Sequence, residues 1–256
     1  MSPIYVPGKV VLAKQFTWNE SVWNPSMLAP ALWLDAADAN TITLNSGNVS
    51  QWNDKSGNNR HLTQASAGSQ PLYISSGLNG QNIVRFEAGD AISNGAVNLP
   101  IGSSARTMYV VYTPRTTTGV PNEIFSQGVT GSSGKWFRLQ FRPSPPGDPY
   151  FAGFSTDLSD FASITLTTKI GGITFDSSTG TLYRNGTQIA QGALTLNTDG
   201  NQIGTAMIGD MAEAVFVSRS LATLDRQKLE GYLAHKWGLT ANLPNDHPYK
   251  TVGPTP

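Results

Sequence analysis

The spacing of apolar and polar positions makes this chain mostly β. From Leu28 to about Val217, short apolar runs are separated by clusters of Gly, Asn, Ser and Pro, as in strands joined by turns. Residues 83–86 and 106–113 each predict a strand, the second with Met108, Val110 and Tyr112 on one face. In residues 135–141 the alternation puts Trp136, Arg138 and Gln140 on one side and Phe137, Leu139 and Phe141 on the other. Residues 171–175 and 211–217 predict two further strands. The run 181–189 reads TLYRNGTQI. Asn185-Gly186 between two β-prone runs predicts a type I′ hairpin, because both residues tolerate positive φ.

One helix breaks this texture, at Thr223–Trp237. Leu229, Tyr232, Leu233 and Trp237 fall at i, i+3, i+4 and i+8 and make an apolar stripe. Thr223 is the expected N-cap. Asp225 in the first turn and His235 and Lys236 in the last suit the helix dipole, and Gly238 is the expected C′ residue. Pro244 and Pro248 forbid a return to helix, so residues 242–249 are expected to run as an extended strap over the sheet.

Composition narrows the function classes. The 256 residues hold no cysteine, which excludes disulfides and thiolate or Cys-ligated metal chemistry. Lys plus Arg is 17 and Asp plus Glu is 17, so no basic excess favours nucleic acid. Charged residues are 13%, against a usual figure of about 25%. Low charge near neutrality gives little protection against self-association, so the chain is expected to be oligomeric or part of an assembly. No apolar run approaches the ~20 residues of a membrane helix. The N-terminal run lacks the layout of a signal peptide, and the chain is expected to be unprocessed.

Residues 1–28 form an expected N-terminal arm. Prolines 3, 7 and 25 interrupt any period, yet Tyr5, Phe16, Trp18 and Trp23 give the segment aromatic anchors. Three readings stand: an arm folded on its own domain, one that docks on a partner subunit through those four residues, or a disordered segment. Residues 29–249 are expected to form one domain, and residues 250–256 a short tail.

Two stretches resemble a known family. The first is ALWLDAAD at 31–38, followed by VSQWNDKSGN at 49–58. The second is Met211-Ala212-Glu213, then LEGYLAHKWGL at 229–239, then Leu243-Pro244 and His247-Pro248-Tyr249. Together they resemble the laminin-G-like branch of the concanavalin A-like lectin/glucanase superfamily over about residues 29–249. The resemblance implies an all-β fold, a two-sheet antiparallel jelly-roll sandwich with one C-terminal helix. Such domains occur in bacterial surface proteins and tailed-phage structural proteins. Fold alone does not fix activity.

Glycoside hydrolysis usually needs two carboxylates across the scissile bond. The superfamily's glucanases carry Glu-x-Asp-x-Glu on one strand. The five Glu here (20, 87, 123, 213 and 230) make no such run. No Gly-x-Ser-x-Gly elbow accompanies His61, His235 and His247. The chain is therefore expected not to be an enzyme. No cofactor is expected. Asp35, Asp38 and Asp54 are weak calcium candidates, since laminin-G domains often hold a calcium at a sheet rim; capping and Asx turns are the plainer reading. Sugar sites use aromatic platforms beside polar groups. Trp136, with Tyr150, Phe151 and Phe154 from an apparent loop at 145–154, is the expected ligand surface. Trp33, Trp52 and Trp237 lie inside the family motifs and are expected to pack.

The leading expectation is a non-enzymatic virion protein of a tailed phage, either a head decoration or a tail or host-contact component. It would be located in the virion, joined to other virion proteins through the arm, and in contact with host-surface glycans. The alternative is a carbohydrate-binding module of a bacterial surface or exported protein. A glycoside hydrolase ranks third.

Overall fold

The computed structural model describes residues 22–95, 98–118, 122–128, 133–153, 155–199 and 202–256. Of the expected arm anchors, Tyr5, Phe16 and Trp18 lie outside these residues. The described chain forms sixteen strands and one α-helix. The strands are β1 Leu32–Asp35, β2 Ile42–Asn45, β3 Asn48–Trp52, β4 Leu62–Thr63, β5 Leu72–Leu78, β6 Gln81–Phe86, β7 Ile92–Asn94 and β8 Arg106–Pro114. They continue with β9 Asn122–Gln127, β10 Phe137–Pro143, β11 Pro146–Ala152, β12 Lys169–Phe175, β13 Thr179–Arg184, β14 Thr187–Ala193, β15 Ile203–Ala206 and β16 Gly209–Val217. The helix α1 is Thr223–Trp237.

All strands join one antiparallel ladder in the order β11-β10-β9-β15-β7-β4-β3-β5-β6-β16-β8-β12-β13-β14, with β1 on β16 and β2 on β3. Strand β16 serves as a hub. Its first half pairs with β6, its second half with β1, and its other edge with β8. Strands far apart in this order meet through their side chains. The ring of Phe137 on β10 packs 6.2 Å from Phe216 on β16 and 6.4 Å from Phe175 on β12. Phe141 stacks on Tyr112 of β8 at 6.4 Å. The inward residues of β10, β8, β12 and β16 thus share one core, which also holds Trp52, Phe86, Phe125 and Phe151. A second apolar layer lies on the other face of β8, β12 and β16. It is closed by Leu229, Tyr232, Leu233 and Trp237 of α1, the stripe read from the helical period.

The Asn185-Gly186 turn has φ of 52° and 81°, as the I′ hairpin between β13 and β14 requires. Residues 243–249 cross this turn: a Cβ on Gly186 would lie 3.1 Å from His247 and 3.3 Å from Leu243 and Pro244. Gly238 ends α1 at φ 71°. Thr223, however, is not the N-cap. That position is Ala222, which offers no side-chain bond. The helix start is held instead by the Thr107 hydroxyl, which accepts from Leu221 N at 3.0 Å, and by an Arg219–Asp225 pair at 3.0 Å.

Residues 146–152 are strand β11, not a loop. Pro146 and Pro149 mask it, but β11 is the edge of the ladder, where a missing N–H costs no pairing on the open side. Trp23 does not stand out on a free arm. It is 3% exposed and packs edge-on against Tyr232 at 5.9 Å, so it belongs to the layer under α1. Among the described residues no helix is long and apolar enough to cross a membrane.

Candidate functional site

The outer face of β10 and β11 forms a cleft of about 480 Å³, lined by Trp136, Arg138, Gln140, Arg142, Ala152, Ser155 and Asp157. Its volume falls in the range of ligand clefts, roughly 300–1,000 Å³. Alternation builds it. Phe137, Leu139 and Phe141 turn into the core, so Arg138, Gln140 and Arg142 turn out in a row beside Trp136. Across the ladder, Ala152 stands opposite Arg138 and Tyr150 opposite Gln140. Register shifts on both sides of β10 flank Gln140. Such bulges re-aim side chains.

The charges in the cleft are held differently. The Arg138 guanidinium sits 3.4 Å from the Trp136 ring centroid, and its Nη1 donates to Glu123 Oε2 at 2.6 Å. The other oxygen of Glu123 accepts from Ser126 Oγ at 2.5 Å. Arg142 lies 4.6 Å over the Tyr150 ring, and its Nε and Nη2 donate to Ser144 O at 3.3 and 2.9 Å. Among the described residues no carboxylate pairs with Arg142. Asp157 is exposed, and both its oxygens accept, from Tyr150 OH at 2.8 Å and from Gly153 N at 3.0 Å. Burial and the bond to Asp157 push the Tyr150 hydroxyl up to about 12, so it stays a donor. Gln140 is 2% exposed, and its amide makes no hydrogen bond among the described residues.

Of the expected ligand residues, Trp136 lines the cleft. Tyr150 is 5% exposed and supports the cleft from beneath Arg142. Phe151 does not line the cleft: it is fully buried and packs at 5.2 Å against Phe137, because alternation along β11 turns it inward. Phe154 lies outside the described residues. Arg138 and Gln140 were already placed beside Trp136 by the alternation, and Arg142 continues the same period. No sequence signal marked Ser155 or Asp157.

The calcium candidates do not fit a cation, because ammonium groups and amides take their oxygens. Lys236 Nζ donates to Asp35 Oδ1 at 2.6 Å, and Lys55 Nζ donates to Asp35 Oδ2 at 2.9 Å. Lys55 also pairs with Asp38 Oδ2 at 2.9 Å, and Asp38 Oδ1 caps the amide of Asn40. Asp54 accepts from the amides of Trp33, Ser56 and Arg60. Among the described residues no cluster of His, Asp and Glu could hold a metal ion.

Residues of the stretches 31–38, 49–58, 211–213 and 229–239 converge on one buried ion cluster. Glu213, fully buried, accepts from Lys236 Nζ and from the indole N–H of Trp33 and Trp237, each at 2.7 Å. Burial raises the Glu213 carboxyl, and Lys236 offsets this only in part. Burial also opposes ionisation of Asp35, but Lys236 and Lys55 hold its carboxyl below the usual range. A second buried carboxylate, Glu230, accepts from Tyr109 OH, Arg226 Nη1 and the His247 ring. Every one of these carboxylate oxygens is engaged, so both clusters are structural.

No protein-family profile and no curated protein sequence matches this chain. Solved structures do. A GH54 α-L-arabinofuranosidase soaked with 4-nitrophenyl α-L-arabinofuranoside matches with a TM-score of 0.59 at 16% identity, over 72% of this chain and 50% of that one. This chain therefore spans about half the length of the arabinofuranosidase it matches. Domain 4 of an extracellular GH43 arabinanase from Geobacillus stearothermophilus, in complex with arabinotriose, matches with a TM-score of 0.55 at 14% identity, over 78% of this chain and 98% of that one. The receptor-binding domain of botulinum neurotoxin D matches with a TM-score of 0.53 at 14% identity, over 80% of this chain and 53% of that one. At these identities the likeness is one of fold.

Proposed function

We propose that this protein is a non-catalytic carbohydrate-binding domain, with the β10–β11 cleft as its site, on a two-sheet jelly-roll scaffold. The observation that carries the reading is the row Trp136, Arg138, Gln140 and Arg142 along one open strand face. The indole, one face of which carries the Arg138 guanidinium at 3.4 Å, provides the apolar platform for a sugar ring with the rest of its surface. A buried amide and two guanidinium groups provide the directional hydrogen bonds. Two similarities of fold support it, one to an arabinanase domain in complex with arabinotriose and one to an arabinofuranosidase. They favour saccharide binding over a virion role. The cleft's composition favours binding over hydrolysis. Asp157 is the one carboxylate among its described lining residues, and both its oxygens are already engaged.

Retention on immobilised polysaccharides tests this. The native protein is expected to be retarded in affinity electrophoresis through at least one of arabinan, galactan or polygalacturonate. Trp136→Ala should abolish the retardation, since loss of a stacking aromatic costs about tenfold or more in a weak site. Its melting temperature should stay near the native value, because Trp136 is not part of the core. Equal retardation of native protein and variant would refute the site. No retardation in any gel would refute the function.

A further inference from the structure

We propose that the saccharide taken by this cleft is acidic, and that Arg142 and Gln140 receive the carboxylate of a uronic-acid residue. The inference rests on the carbohydrate-binding reading and adds the substrate class.

Three observations carry it. First, the cationic groups of the cleft are not equivalent. Arg138 is neutralised by Glu123 at 2.6 Å, whereas Arg142 has no carboxylate partner among the described residues. Its Nε and Nη2 are spent on Ser144 O, which fixes the guanidinium over Tyr150 and leaves Nη1 unbonded. Second, Gln140, two residues away on the same face, lines the cleft with an amide that no group among the described residues engages. This amide is not among the fully buried unpaired groups, so it opens to the cleft and can meet a ligand group without giving up an internal bond. Third, the one carboxylate among the described lining residues, Asp157, is exposed and anchored by Tyr150 OH and Gly153 N; these neutral donors fix its place, and solvent screens its charge. The described lining therefore offers an acidic ligand one unneutralised guanidinium and one free amide donor.

The spacing fits a chain of sugars. Side chains on one face of a strand recur every two residues, about 6.8 Å. Trp136, Arg138, Gln140 and Arg142 follow this row, so a sugar stacked near Trp136 would put the next residues of the chain near Gln140 and Arg142. Carboxylate recognition by guanidinium is planar and directional. A tetrahedral oxyanion can be met in the same way, so dextran sulfate is the control that separates a sulfate ester from a uronate.

The test pairs tetragalacturonate with its carboxyl-reduced counterpart, galactotetraose, in titration calorimetry at low and moderate salt. The acidic tetramer is expected to bind about 10–100-fold tighter than the neutral one, the range of a charge-assisted hydrogen bond. Arg142→Gln should remove most of that advantage, so that the variant binds the acidic tetramer little better than it binds the neutral one. Gln140→Leu should reduce it in part. Comparable affinity for both tetramers would overturn the inference and leave the saccharide-binding reading standing. So would undiminished acid preference in Arg142→Gln, or equal binding of dextran sulfate. Binding of neither tetramer would overturn the acidic-saccharide inference, and the polysaccharide gels would then decide whether any sugar binds.

Discussion

Replacing Lys236 by Met is expected to lower the melting temperature by roughly 10 °C, from a loss of ~3–5 kcal/mol typical of breaking a buried ion pair and about 2–4 °C per kcal/mol in a chain of this size. The ammonium group joins three segments far apart in sequence: β1 through Asp35, β16 through Glu213, and α1 through its own backbone. Asp35 would keep Lys55. Glu213, fully buried, would keep only the indole donors of Trp33 and Trp237. Its carboxyl, already raised by burial, would rise further. A carboxyl raised in the folded state contributes stability below its unfolded pKa and loses it as pH rises through the folded value. The deficit of Lys236→Met should therefore be larger at pH 8 than at pH 5. Thermal melts at the two pH values check this, and an equal deficit at both would contradict it. Adding Glu213→Gln should recover part of the loss at pH 8, since it removes the stranded charge.

Arg106→Met should have a comparable effect with a different pH signature. This guanidinium is fully buried beneath the Phe137 ring, and it is satisfied entirely by neutral acceptors. It donates to Ser104 O at 2.9 Å, Gly102 O at 2.8 Å, Gln127 Oε1 at 2.8 Å and Thr198 Oγ1 at 2.6 Å. Removing it leaves several buried acceptors unpaired at about 1–3 kcal/mol each, so a loss of ~3–5 kcal/mol is expected. Burial lowers the arginine to about 10. Between pH 5 and 8 it is protonated in both the folded and unfolded states, so it contributes no slope of stability with pH. The deficit of Arg106→Met should be the same at pH 5 and pH 8. A deficit that changes between them would show that the neutral cage is not what the arginine supplies.

Much of the frame was legible in the sequence, because it is written in local periods. The Asn185-Gly186 hairpin, the alternation around Trp136 and the stripe on α1 each need only a few neighbouring residues. Features set by distant partners were not legible. Lys236 sits on the apolar stripe one turn after Tyr232, and Glu213 stands inside the apolar run of β16. Charges in such positions mark a buried pair, but the sequence does not name the partner: Asp35 is 201 residues from Lys236. The prolines of β11 hid an edge strand, and with it the inward turn of Phe151. Within the cleft, the β10 row followed from alternation. Ser155 and Asp157 arrive from the segment after β11, whose path no local pattern sets.

The central claim is that sugar meets this protein at Trp136. Six tryptophans give six indole N–H reporters in a ¹⁵N correlation spectrum. Trp52 and Trp237 are fully buried and Trp23 and Trp33 nearly so, whereas Trp136 faces the cleft. On titration with tetragalacturonate, the Trp136 indole, assigned by its loss in Trp136→Phe, is expected to shift in a saturable way while those four stay in place. Saturable shifts confined to other indoles, or none at concentrations where calorimetry shows the tetramer bound, would contradict the account.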